Sequence, residues 1–167
     1  QALYNAISGA HAAVGQQALY SNTSGTYSVA VGYQAGYSNT TGGSNVALGA
    51  QALYSNTTTS NSVAIGYQAC YSGNQANNTA VGYQALYAGG GGGSVALGYQ
   101  ALTAENSSGG SNAALGYQAL LANTSGVNNI AVGRSALQAN TTGSNNVAVG
   151  YQAGLWNTTR SEEHTSE

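Results

Sequence analysis

The sequence predicts an all-β fold: a parallel β-solenoid, or β-roll, of about nine coils of 16–18 residues. Three observations predict it. A short cassette, clearest as Val29-Ala30-Val31-Gly32-Tyr33-Gln34-Ala35-Gly36-Tyr37, recurs almost unchanged along the chain. Length differences between copies fall in the Ser/Asn/Thr/Gly stretch that joins cassettes, as at Gly89 to Gly93 and Glu105 to Gly110. Within the cassette, large and small residues alternate with period two, and β-branched residues recur there.

The repeat is read from its glycine. This residue falls at Gly15, Gly32, Gly49, Gly66, Gly82, Gly98, Gly116, Gly133 and Gly150, and Gln1-Ala2-Leu3-Tyr4 is the tail of a further copy. Ala stands two positions before it and three after it in every copy, from Ala13 and Ala18 to Ala148 and Ala153. Val, Leu or Ile stands immediately before it each time. Helical repeats need roughly 33 residues or more, and the Gly and Asn content opposes helix. Seventeen residues instead fit one coil made of two short strands and two bends, each coil resting on the next at the strand spacing of about 4.8 Å. Nine such coils give a rod roughly 43 Å long by that spacing.

Stacking accounts for the residue choices. Gln17, Gln34, Gln51, Gln68, Gln84, Gln100, Gln118 and Gln152 form a column broken by Ser135, and amides in such a column donate and accept along the axis. Tyr33, Tyr67, Tyr83, Tyr99, Tyr117 and Tyr151 form an aromatic column interrupted by Gln16, Ala50 and Arg134. The glycine column suits a bend with positive φ or without room for a Cβ. The sequence leaves open which apolar column, Ala or Val/Leu/Ile, faces inward. The other would lie exposed as a stripe along the rod, which is an association surface.

Composition agrees with a stacked repeat. Only 4% of the 167 residues are charged, against about 25% in an ordinary soluble protein, and Lys, Asp, Pro, Met and Phe are absent. A column of like charges every 4.8 Å or so would be repulsive, which gives the missing charge a physical reason. Leu, Ile and Val number 26, too few for a conventional globular core. Such a chain offers no electrostatic footprint for nucleic acid, and no apolar run inserts into a membrane.

The cassette resembles the head repeats of YadA-like trimeric autotransporter adhesins. Asn61-Ser62-Val63-Ala64-Ile65-Gly66 carries that family's repeat motif, and Asn146-Val147-Ala148-Val149-Gly150 is a near match. The longer unit, Gly-Tyr-Gln-Ala-Leu-Tyr-Ser-Asn-Thr-Thr-Gly, is similar to repeats in bacteriophage tail fibres. The resemblance spans residues 1–159. It implies a left-handed roll with three chains side by side, in an extracellular setting on a virion or a bacterial cell surface. The period of 17 is longer than the usual head repeat of that family, and neither a membrane anchor nor a chaperone domain is visible.

Composition breaks at Arg160. Residues 160–167, Arg160-Ser161-Glu162-Glu163-His164-Thr165-Ser166-Glu167, hold four of the six charged residues and no trace of the repeat. All eight codons can be read from a common sequencing-library adapter. The expected organisation is therefore a repeat array over 1–159, open at both ends, followed by a non-native tail over 160–167 that makes no ordered contact with the rod.

Chemistry is sparse outside that tail: one His (His11), one Cys (Cys70) and one Glu (Glu105). Acid–base pairs, nucleophile triads and metal clusters need several such groups converging, so no catalytic, cofactor-binding or metal-binding residue is assigned and no enzyme activity is expected. Cys70 stands in the column of Leu53, Leu86 and Leu102 and reads as a packed small hydrophobe, while His11 reads as a loop or edge residue. Six Asn-Thr-Thr/Ser triplets, beginning at Asn22, Asn39, Asn56, Asn123, Asn140 and Asn157, fit the N-glycosylation pattern but read first as turns. The expected function is a structural fibre segment of an adhesion or host-recognition protein, a homotrimer holding a receptor-binding tip away from particle or cell. The alternatives are a solenoid binding glycan, matrix or ice directly, or a self-polymerising extracellular filament.

Overall fold

The computed structural model describes residues 10–106 and 110–161 of the chain. Nine three-residue strands follow one another: β1 Ala12–Val14, β2 Val29–Val31, β3 Val46–Leu48, β4 Val63–Ile65, β5 Thr79–Val81, β6 Val95–Leu97, β7 Ala113–Leu115, β8 Ile130–Val132 and β9 Val147–Val149. They form one parallel sheet in sequence order, with no helix among the described residues. No helix there is long and apolar enough to cross a membrane.

Register is held cassette on cassette: Ala30 pairs with Ala47, Ala47 with Ala64, and Ala64 with Ala80. The 18-residue interval does not disturb it, since Leu97 still pairs with Leu115. A parallel ladder whose successive strands are joined by a coil of about 17 residues is a β-solenoid.

Each coil contains one strand where the sequence suggested two. After the glycine the chain makes tight turns through left-handed residues, such as Gln51 (φ 57°) and Leu53 (φ 50°). Ala52 N–H donates to the Gly49 carbonyl and Asn56 N–H to the Leu53 carbonyl, closing two successive turns. The ladder between coils nevertheless continues: Leu53 N–H donates to Ala69 O at 3.1 Å and Ser55 N–H to Tyr71 O at 2.9 Å. Inter-coil hydrogen bonding thus needs no second set of strand dihedrals. It also holds in place left-handed backbone that a Leu or Gln would otherwise avoid.

The interior has an apolar half and a polar half. Both Ala columns point inward, as at Ala64 and Ala69, and the Leu column (Leu53, Leu86, Leu102, Leu120) packs against them with almost no exposed surface. Small inward residues are required because a coil this short leaves little width between its walls. The Val, Leu and Ile residues flanking each strand Ala therefore project outward, which settles the orientation the sequence left open.

The polar half is built from the Ser/Asn/Thr/Gly stretch that joins cassettes, where the length differences fall. Asn22, Asn39, Asn56, Asn123 and Asn140 are buried, and each amide donates to the carbonyl three residues on. Asn39 also donates to Asn22 Oδ1 (2.8 Å) and Asn140 to Asn123 Oδ1 (2.9 Å), one coil apart. A second inward column precedes each strand, where side-chain oxygens accept backbone N–H groups of the next coil. Ser62 N–H donates to Asn45 Oδ1, Asn78 N–H to Ser62 Oγ, and Ser94 N–H to Asn78 Oδ1. Buried polar groups cost little when fully paired, and the ladders pair most of them; among the described residues Asn140 Oδ1 and Glu105 Oε2 have no partner.

The glycine run of residues 89–93 is also partly interior. Gly89 and Gly91 are buried. A Cβ on Gly91 would stand 2.6 Å from Gly110 Cα and 2.7 Å from Glu105 Oε1. Gly89 to Gly91 are thus packed between coils, whereas Gly92 is half-buried and Gly93 exposed.

At the end of the array, Arg160 and Ser161 still follow the repeat. Asn146 Nδ2 donates to the Arg160 carbonyl at 2.8 Å, as Asn129 does to Gly143, and Ser144 N–H donates to Ser161 Oγ at 2.8 Å. The expected absence of ordered contact from residue 160 onward is therefore overturned for these two residues. Residues 162–167, the Gln1–Tyr4 repeat tail and residues 107–109 of the Glu105–Gly110 insertion lie outside the described residues.

Candidate functional site

The reactive side chains are scattered through different coils. Cys70 is buried in the Leu column as its register predicts, and burial, followed by the nearby Glu105 charge, pushes its thiol up to about 12. Such a thiol stays protonated and is a poor nucleophile. His11 departs from the loop or edge reading: it fills the inward polar column in the first described coil, half-buried. Its Nε2 lies 3.1 Å from Asn22 Nδ2 and its Nδ1 3.4 Å from the Ser28 backbone nitrogen. Among the described residues no group of three or more His, Cys, Asp or Glu side chains converges.

Glu105 takes the place that Asn holds in the neighbouring coils at Asn123 and Asn140, and it is completely buried. Asn112 Nδ2 donates to its Oε1, while Oε2 has no partner. Desolvation raises the carboxyl from 4.5 to about 7, against the opposing pull of hydrogen bonds from Asn112 and Ser94. A proton on this group is the natural response to a buried site with one oxygen unpaired.

Five of the six glycosylation-like triplets place their acceptor nitrogens inside the coil, and Asn157 in the last coil is half-buried. At Asn22, Asn39, Asn56, Asn123 and Asn140 the amide is buried and hydrogen-bonded, so the folded rod does not present it. The following threonines face out, but their hydroxyls donate along the axis. Thr40 Oγ1 reaches Thr57 O at 2.9 Å and Thr141 Oγ1 reaches Thr158 O at 2.9 Å. Asn74, Gly90 and Asn106 interrupt that column, and no continuous hydroxyl face results.

What the rod does present is a set of outer ladders. The Gln column is an amide chain in which Gln34 donates to Gln17, Gln51 to Gln34 and Gln68 to Gln51 at 2.9–3.2 Å. Where Ser135 breaks it, Gln138 reaches across to Gln118 Oε1 at 2.9 Å. Tyr67, Tyr83, Tyr99 and Tyr117 stack face to face with centroids 5.1–5.4 Å apart, and the Arg134 guanidinium continues the column 5.2 Å from the Tyr117 ring. A second column, missed in the sequence reading, runs Tyr20–Tyr37–Tyr54–Tyr71–Tyr87 with centroids 5.0–5.3 Å apart and interplanar angles of 3–8°. Its signal was present, since each of these tyrosines stands five residues after a cassette glycine. Burial, and then the neighbouring Tyr54, Tyr87 and Tyr67 phenols, raise the Tyr71 hydroxyl. Ring faces are spent on one another in both columns, leaving edges and hydroxyls outward rather than platforms for a sugar.

Beside these ladders lies the outer face of the sheet, two apolar columns wide. Leu48 (42% exposed) and Ile130 (44% exposed) represent its two columns, and Val63, Ile65, Val81, Val95 and Leu97 are half-buried by their neighbours above and below.

A scan against protein-family models matches none, and searches of curated proteins and of solved structures match none. The functional reading therefore rests on the rod itself and on the cassette's resemblance.

Proposed function

We propose that this chain is a structural fibre segment of an extracellular or virion adhesion or host-recognition protein, acting as a spacer that carries a receptor-binding tip. The observation that carries this reading is the outer sheet face: one column of Val, Leu and Ile unbroken through nine strands, beside a second, mostly apolar column that Thr79 interrupts, on a rod whose interior is already filled. Water-exposed apolar surface of that regularity is an association surface. The stripe keeps the period of the coils along the rod, so the lateral partner that matches it along its length is another copy of the same chain. Closed packing of three copies around a common axis buries the stripe of each. The cassette resemblance points to the same number. Side-chain and backbone hydrogen bonds run along the axis, as a load-transmitting spacer requires. Direct glycan or ice binding gains nothing from the tyrosine faces, which are stacked, or from the threonine hydroxyls, which donate to backbone.

Site-directed cross-linking tests the lateral face. Ile65→Cys places a thiol on it, whereas Thr58→Cys places one on an exposed bend of the same coil; the buried Cys70 is silent in both. A short bifunctional thiol reagent should link chains of the Ile65→Cys protein and leave the Thr58→Cys protein as single chains on a denaturing gel. Equal linking of both, or of neither, contradicts the proposed face.

A further inference from the structure

We propose that the tyrosine columns are sites of oxidative phenol coupling, at which a peroxide-driven one-electron oxidant joins successive coils of one chain through dityrosine bonds. Phenol coupling needs two rings held together long enough for two phenoxyl radicals to meet, and in a flexible chain that encounter limits the yield. Here the encounter is built in. Tyr20, Tyr37, Tyr54, Tyr71 and Tyr87 lie in one unbroken column with centroids 5.0–5.3 Å apart and rings within 8° of parallel. Tyr67, Tyr83, Tyr99 and Tyr117 form the second column at 5.1–5.4 Å. Both are accessible to a small oxidant: the first set is half-buried, and the second is more than two-fifths exposed.

The step balances with hydrogen peroxide as the terminal oxidant and a haem peroxidase as the one-electron agent. Each of two phenols loses one hydrogen atom from oxygen to give a phenoxyl radical. The radicals join by a new carbon–carbon bond between ring positions ortho to the hydroxyls, and the two ortho protons shift to oxygen to restore both phenols. Two hydrogen atoms leave the protein, and one hydrogen peroxide is reduced to two waters. Each bond links residues about 17 apart in sequence but adjacent in space, so it staples one coil to the next. The joined rings must twist out of the stack to form the bond, and the half-open outer surface gives them room.

The same molecule carries its own controls. Tyr33 stands between Gln16 and Ala50, Tyr27 is 72% exposed beneath Ser44, and Tyr151 follows Arg134, so none has a stacked tyrosine neighbour. Reactivity set by exposure alone would favour Tyr27 and Tyr151; reactivity set by stacking favours the columns.

The full chain, dilute, is treated with peroxidase and hydrogen peroxide, and the single-chain band from a denaturing gel is digested and analysed by mass spectrometry. Linked peptides lighter by two hydrogen atoms should map to neighbours within a column, such as Tyr37–Tyr54 and Tyr54–Tyr71. Tyr54→Phe should abolish these two links and leave Tyr71–Tyr87 and Tyr83–Tyr99 in place. In concentrated urea the neighbour preference should disappear. Links dominated by Tyr27, Tyr33 or Tyr151, or a single-chain band with no linked peptides, would overturn the proposal.

Discussion

Leu53 shows how far this fold departs from local preference. It is buried and sits at φ 50°, and its counterparts in other coils do the same. Left-handed backbone disfavours any residue with a Cβ and β-branched residues most. The sequence carries a hint, because Gly36 and Gly154 occupy that column in two coils. The hint is weak because Leu is chosen for the space it fills, and tertiary packing outweighs its backbone preference. Leu53→Ile conserves volume but adds β-branching at positive φ, so it should cost about 1–3 kcal/mol, where an isomer swap at relaxed backbone usually costs less than about 1.5. Chemical denaturation of the two proteins measures the difference. Glu105 offers a second test at this scale. Its folded carboxyl titrates at about 7, above its ordinary 4.5. The folded state thus binds the proton more tightly than the unfolded chain. The resulting stabilisation is complete below about 4.5 and is lost as pH rises through about 7. Thermal melts should show that decline, and Glu105→Gln should remove it. A decline of the same size in the variant would mean that other groups cause it.

At the scale of the element, each strand is a three-residue sandwich with an inward Ala between two outward side chains. The period-two pattern made the strands and their register legible, and it made the Ala columns visible as invariant. Which side was inside was not legible, since Ala and Val both suit a strand interior. Coil width decides it, and width is a property of the closed coil. The turn half was read least well. Asn, Ser, Thr and Gly are the residues of loops, yet here Asn22, Asn39 and Asn56 line the interior because stacking gives every amide a partner one coil away or three residues on. Pairing of that kind is absent from single-chain propensity. Ala64 tests the strand assignment: Ala64→Leu inserts three carbons into a filled coil and should cost about 1–3 kcal/mol, or more if the ladder shifts. The adjacent Ile65→Leu, on the outer face, should change stability by less than about 0.5 kcal/mol in the isolated chain. Equal effects would contradict the inward–outward assignment.

Across the whole molecule, the repeat does two things at once. It closes each coil around Ala, Leu and Asn, and it leaves a stripe of Val, Leu or Ile facing outward on every coil just before the cassette glycine. The solenoid architecture was legible because the repeat period, the confined length changes and the low charge all agree. The lateral partner is not written in any single coil; it follows from the sum of nine outward faces. The central claim is that this stripe joins copies of the chain. Multi-angle light scattering on the purified full chain measures it most directly. The account predicts a particle of about three times the 16.6 kDa chain mass, reduced to a single chain by Leu48→Glu and Ile65→Glu together. A stable, soluble particle of one chain mass in the unsubstituted protein would contradict it.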